Sequence, residues 1–290
     1  MTLYIRILVV FSMIAISSPA LAGEQTALEE AWSALYGQSA RDAVAAAELV
    51  TETYPENSEA WQVRGRAFMR RAEEVSIFRK RSRLESALEA YQRATELDPA
   101  NIEAQLILLS VYTVLPEAFG GGEERSAAQL EAMAAALPGL DELGRAVLAS
   151  AEQNEEEAYA ATRRAIEINP DEPQFWNSLV QRYTAMENWD AAWRTLDEAR
   201  ADFPDDIQLQ HRVARLAGES GQRLDDGLIM LEKLASQDGL PARFRPEALL
   251  LMRGRILQHQ GRVDEALSNF RRSKESAPYL VRQMGFGDDI

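Results

Sequence analysis

The chain has 290 residues, 46% hydrophobic and 27% charged, with a formal charge of −15. That balance fits a folded chain rather than a disordered one, and the acidity excludes a general nucleic-acid binder, which needs a basic footprint. There is no cysteine and only two histidines, His211 and His259. Disulfides, thiolate metal sites and cysteine nucleophiles are thereby excluded. Neither histidine has further ligands at metal spacing, so neither metal nor cofactor is expected.

Residues 1–22 have the order of a secretory leader: Arg6, then an apolar run from Ile7 to Ile16, then Pro19 as a helix breaker, then Ala20-Leu21-Ala22 as a small-x-small cleavage pattern. The apolar run is well short of the roughly 20 residues that span a bilayer. Cleavage after Ala22 predicts a periplasmic or secreted protein. The absence of a cysteine at that point predicts that it is not a lipoprotein.

From Gly23 onward the chain is rich in strong helix formers, and no run alternates apolar and polar residues as a half-buried strand would. Short breaks recur at Pro55, Pro99, Pro170, Pro204 and Pro278. Each proline follows an amphipathic stretch that it cannot extend. The carboxylate or amide that follows is placed to cap the next helix. Ala43, Ala47 and Pro55 mark a half-legible first hairpin. Trp61, Gly65 and Phe68, then Ala87, Tyr91, Ala94 and Pro99, mark a lengthened second one. Leu109, Tyr112 and Ala127 follow, interrupted by a loop at Gly120-Gly121-Gly122. Ala158, Thr162, Ala165 and Pro170 belong to the next, and 207–239 is degenerate. Gly254, Ala266, Phe270 and Pro278 mark the last. Pro170 to Pro204 is an interval of 34 residues.

A period of 34 with two helices per period resembles the tetratricopeptide repeat. Trp176, Leu179, Tyr183, Ala192, Leu196, Ala199 and Pro204 match the family pattern, while Val180 replaces its usual glycine. The resemblance implies an all-α fold, a right-handed α-solenoid of six to seven such hairpins. The expected boundaries are a leader at 1–22, a degenerate N-terminal hairpin at 23–57, a solenoid at 58–278 and a tail at 279–290. Tyr279, Leu280, Val281, Met284 and Phe286 are expected to fold back over the last helix or to meet another subunit. Trp61 and Trp176 are expected to pack in the core.

By the same resemblance, certain positions of each first helix face a concave groove. Here they are Gln62, Arg66, Arg70, Asn177, Gln181, His211, Arg215 and Arg255. Guanidinium and amide groups suit an acidic or C-terminal peptide segment. A second candidate is the basic window 64–83, with a patch of Arg71, Arg79, Lys80, Arg81 and Arg83 able to steer an acidic partner. The glycine loop lacks the lysine and preceding strand of a phosphate cradle. It resembles a loop of periplasmic repeat proteins that serve solute transport. No nucleophile–base pair or carboxylate pair stands out, so no catalytic residues are assigned. The expectation is a non-enzymatic periplasmic scaffold for a protein partner. The alternative is an accessory subunit of a transport system that holds a small ligand or a solute-binding protein.

Overall fold

A computed structural model describes residues 19–285 apart from 118–119, 238–239 and 242. Most of the expected leader (1–18), Phe119 of the glycine loop and Phe286 of the tail lie outside the described residues. The described residues form fifteen α-helices and no strand. They are α1 (Pro19–Tyr36), α2 (Ala40–Thr53), α3 (Ser58–Glu74), α4 (Ile77–Leu97), α5 (Ile102–Val114), α6 (Glu123–Ala136), α7 (Leu140–Ala151) and α8 (Glu155–Ile168). After these come α9 (Pro173–Ala185), α10 (Trp189–Asp202), α11 (Ile207–Ser220), α12 (Leu224–Ala235), α13 (Pro246–His259), α14 (Val263–Ser276) and α15 (Pro278–Gln283). Consecutive helices pair from α1–α2 to α13–α14, giving seven hairpins, and α15 packs on α14. Pro19 is the first described residue and already belongs to α1. The expected cleavage point after Ala22 therefore lies inside α1.

Pro278 opens α15 without a side-chain cap, whereas the turns at Pro55, Pro99, Pro170 and Pro204 share a local chemistry. Two residues past each of these prolines, a side chain caps the next helix. Asn57 accepts from the Ala60 N–H (2.8 Å), Asn101 from Ala104 (3.1 Å), Glu172 from Gln174 (3.0 Å) and Asp206 from Leu209 (2.8 Å). These bonds satisfy donors that the helix itself leaves unpaired. Six residues past each of these prolines, a side chain donates back to the proline carbonyl. Trp61 reaches Pro55 (2.8 Å), Gln105 reaches Pro99 (2.8 Å), Trp176 reaches Pro170 (2.9 Å) and Gln210 reaches Pro204 (3.1 Å). Trp61 and Trp176 thus clamp their own turns and, half-buried, pack against the core.

Within each hairpin the two helices match in volume. A Cβ on Gly65 would lie 2.8 Å from the Tyr91 ring, and one on Gly254 only 2.3 Å from the Phe270 ring. The corresponding pair in α9–α10 is Val180 and Leu196, both fully buried. A larger residue on one helix is met by a smaller one on the other, which keeps the interface dense.

The array closes on itself. Arg245, at the start of α13, donates to the Glu29 carbonyl (3.3 Å) and the Ser33 hydroxyl (3.2 Å) of α1. Tyr279 of α15 donates to the Glu73 carboxylate (3.1 Å) of α3, and its ring centroid lies 4.1 Å from the Arg70 guanidinium. Val281 anchors α15 among Leu251, Leu257, Ala266 and Phe270. First and last hairpins thus meet, and the inner helix faces surround a central cavity.

Candidate functional site

The cavity has a volume of about 410 Å³. Its walls come from α1 (Trp32, Tyr36), α3 (Glu59, Gln62, Arg66), α5 (Glu103), α9 (Gln174, Asn177) and α11 (Gln208, His211, Arg212). Arg243 and Phe244, from the segment before α13, lean over it. A neighbouring hollow of about 460 Å³ shares Arg66, Glu103 and Asn177 with it and adds Ser110 and Gln181.

The wall is a network of fixed polar groups. Gln62 donates to Glu103 (2.6 Å) and accepts from Asn101 (3.0 Å), and Arg66 pairs with the same Glu103. The Trp32 indole donates to Glu59 (3.0 Å). Arg212, only 7% exposed, donates through Nε to Asn177 (2.8 Å). Burial, and then the repulsion of Arg215, lower its pKa to about 10. Beside it, burial and then the charges of Arg212 and Arg215 push His211 down to about 3, so its imidazole is neutral at physiological pH. Its ring centroid lies 5.2 Å from that of Phe244.

Five of the eight groove residues expected from sequence border these two hollows: Gln62, Arg66, Asn177, Gln181 and His211. Arg215 lies on a shallower recess with Gln181 and Arg212, and its guanidinium pairs with Glu219 (2.7 Å). Arg70 does not face the cavity. It is 1% exposed and donates to the carbonyls of Leu35 and Gly37, capping the C-terminal end of α1. The last turn of α1 leaves those carbonyls without helical partners, and that need draws Arg70 inward. Arg255 is also taken up structurally, donating to the Met284 carbonyl (2.6 Å) beyond α15. Sequence reasoning missed Arg212, Gln174, Gln208, Arg243 and Phe244. The adjacent His211 was the nearest signal for Arg212, and ring closure alone brings Arg243 and Phe244 over the cavity.

The basic window does not form one continuous patch. Arg64 lies over Trp61 and Phe68, Arg66 pairs with Glu103, and Arg70 caps α1. Arg71 pairs with Glu74 (3.3 Å), and Arg83, half-buried, packs beside Phe68. What remains exposed is Arg79, Lys80 and Arg81 at the end of the longest hairpin. Helices α3 and α4 have 17 and 21 residues, against 13 and 14 in α9 and α10. The extra length projects beyond the ring, where Phe78 is 93% exposed. Beside it, Leu84, Leu88, Leu115 and Pro116 line a trough of about 330 Å³ bordered by Lys80 and by Arg81, whose guanidinium pairs with Glu85 (2.8 Å) on the same rim.

The glycine loop closes on α5. The Gly122 N–H donates to the Tyr112 carbonyl (2.8 Å), and a Cβ on Gly121 would sit 1.9 Å from the Leu115 carbonyl oxygen. Gly122 also adopts φ 108°, a conformation that favours glycine. Close approach and backbone conformation account for these two glycines. Among the described residues no group of three or more acidic or histidine side chains is placed to hold a metal ion.

A closed ring of paired helices with a polar interior defines an α-helical repeat protein. Its repeat is of the tetratricopeptide type: the family model described as TPR repeat matches residues 76–108, covering α4 and the first part of α5. Similar solved structures include a tetratricopeptide repeat protein from Parabacteroides merdae, 17% identical over 91% of this chain and 97% of that one, with a TM-score of 0.46. The human IFIT1 dimer with PPP-AAAA is 17% identical over 90% of this chain and 62% of that one (TM-score 0.48). Yeast Tom70 is 14% identical over 92% and 55% (TM-score 0.47). The chain therefore spans less than two thirds of the latter two. No curated protein matches the sequence.

Proposed function

We propose that the protein is a non-enzymatic adaptor of the bacterial periplasm, exported by the 1–22 leader, which docks a segment of a partner protein at the end of its α3–α4 hairpin. One observation carries this reading: an apolar trough with a basic rim, next to an exposed phenylalanine, on the hairpin that outgrows its neighbours. Such a surface suits a segment with an apolar face and acidic flanks, because the trough receives the apolar side chains while Arg79 and Lys80 meet the carboxylates. The rest of this acidic chain repels an acidic partner, so long-range charge orients approach toward the tip. Closure of the ring narrows the inner surface, which leaves the tip as the open face.

The test is crosslinked capture from an envelope fraction with wild type, R79E/K80E and F78S. The wild type should recover a partner that both variants lose by about tenfold, a loss comparable to removing a buried anchor or a pair of steering charges. Equal recovery with folded variants overturns the tip as the docking surface. Sequencing of the exported protein should give Gly23 as its first residue, and a retained leader overturns the assigned compartment.

A further inference from the structure

We propose that the central cavity is a binding site for a small organic carboxylate, held by the guanidinium of Arg212. The observation behind it is an unfinished hydrogen-bonding group. Arg212 is more than nine-tenths buried, yet among the described residues its hydrogen-bond partner is the Asn177 amide oxygen, reached by Nε alone. The carboxylate that acts on it, Glu219, is engaged by Arg215 instead, and none among the described residues forms an ion pair with Arg212. A guanidinium carries five N–H donors in a rigid fork, matched to the two oxygens of a carboxylate. A buried charge without a direct ion pair is costly, so a fold that keeps one is suited to receive a carboxylate from a ligand. Arg212 lines the cavity, whose 410 Å³ falls within the range of small-molecule sites, as well as the recess shared with Arg215 and Glu219.

The other wall groups narrow the ligand's chemistry. Glu59 and Glu103 are already engaged, by Trp32 and by Arg66 with Gln62, and both remain within the wall. Their charge disfavours a dianion such as a phosphate monoester and leaves room for one negative charge. Neutral His211 adds no second cation beside Arg212. Phe244 offers an apolar surface to the body of the ligand. The site thus fits a monocarboxylate with a flat or apolar body.

This inference does not rest on the adaptor reading. The tip variants R79E/K80E leave the cavity walls untouched, so the two proposals fail separately. The experiment is calorimetric titration of the full exported chain with phenylacetate, its uncharged amide phenylacetamide, phenyl phosphate and a tripeptide ending in phenylalanine. Phenylacetate should bind saturably, with phenylacetamide and phenyl phosphate weaker by about tenfold or more, the scale of one charge-assisted bond. R212M should abolish that binding, and R79E/K80E should retain it. R212M should also raise the unliganded melting temperature by about 2–4 °C, because an unpaired buried charge is replaced by an apolar side chain. Three results each overturn the proposal: no saturable binding of phenylacetate, equal binding of its amide, or undiminished binding to R212M. Tripeptide binding tighter than phenylacetate would assign the carboxylate to a chain terminus and overturn the small-molecule ligand. If R212M unfolds, R243Q at the exposed mouth should still weaken phenylacetate several-fold, and no change there counts against the site.

Discussion

The ring closure and the cavity wall each bury an arginine, and the two are finished differently. At the closure, Arg70 gives its donors to the carbonyls that end α1 and lies against the Tyr279 ring. In the wall, Arg212 has a single amide partner and open space beyond it. Burial is the leading cause that lowers the pKa of both. The difference lies in what replaces the water. Backbone carbonyls take both terminal nitrogens of the first guanidinium, although its Nε is buried without a partner, and make it a structural part, whereas the terminal nitrogens of the second have no protein partner among the described residues. Burial alone therefore does not separate a structural arginine from a binding one; what its terminal nitrogens meet does.

The largest effect should come from R70M. It removes the partners of the Leu35 and Gly37 carbonyls and breaks the stack on Tyr279, at a cost of about 3 kcal/mol in unfolding free energy by denaturant titration. Its sign is opposite to that expected for R212M, and two destabilised variants would erase the distinction. X-ray scattering should also show R70M to be more extended, since Arg70 joins α1, α3 and α15. Tyr279 supports this from the other side. Burial and then Glu73 push its pKa up to about 12, so its hydroxyl stays protonated and donates across the junction.

Acid should affect the wall more than the closure. His211 has its pKa lowered from 6.5 to about 3 in the folded chain, first by burial and then by its arginine neighbours. Below about pH 6.5 the unfolded chain takes up a proton that the folded one refuses, so stability is lost as pH falls toward 3. H211Q should remove this part of the acid slope, about 1 kcal/mol between pH 6.5 and 5 after allowance for screening. Parallel slopes in wild type and H211Q would show that the imidazole is hydrated in the folded state.

Much of the fold is legible in the sequence because its signals are local. A proline, a capping side chain two residues later and a back-bonding side chain six residues later fall within one turn and one helix start, so Pro55, Pro99, Pro170 and Pro204 mark their hairpins directly. Val180 looks like a departure when read alone, and its reason appears only with the partner helix. Leu196 stands where Tyr91 and Phe270 need a glycine opposite. The cavity is less legible for a related reason. Gln62, Arg66, Asn177 and His211 lie on helix positions that the repeat turns inward. Arg70 and Arg255 share that pattern, but chain ends from other hairpins claim them. Arg243 and Phe244 carry no periodic signal, since a connecting segment far along the chain delivers them. Closure depends on single side chains from remote segments, and hydrophobic periodicity does not encode such contacts.

The smallest effect should come from R245A, and it sharpens the contrast most directly because Arg245 serves the same closure as Arg70. Its guanidinium forms a local pair with Glu247 at 3.0 Å and reaches α1 through two longer bonds, 3.3 Å to the Glu29 carbonyl and 3.2 Å to the Ser33 hydroxyl. Both of these bonds are at the surface, so water replaces them when the side chain is removed. R245A should therefore lose about 1 kcal/mol, chiefly by leaving the half-buried Glu247 without its two-bond partner, while amide exchange in α1 speeds up as the junction loosens. If R245A were as damaging as R70M, exposed and buried links would contribute alike. The carbonyl contacts of Arg70 would then no longer explain why the ring stays closed, and the lack of such contacts at Arg212 would no longer single it out as the group awaiting a ligand.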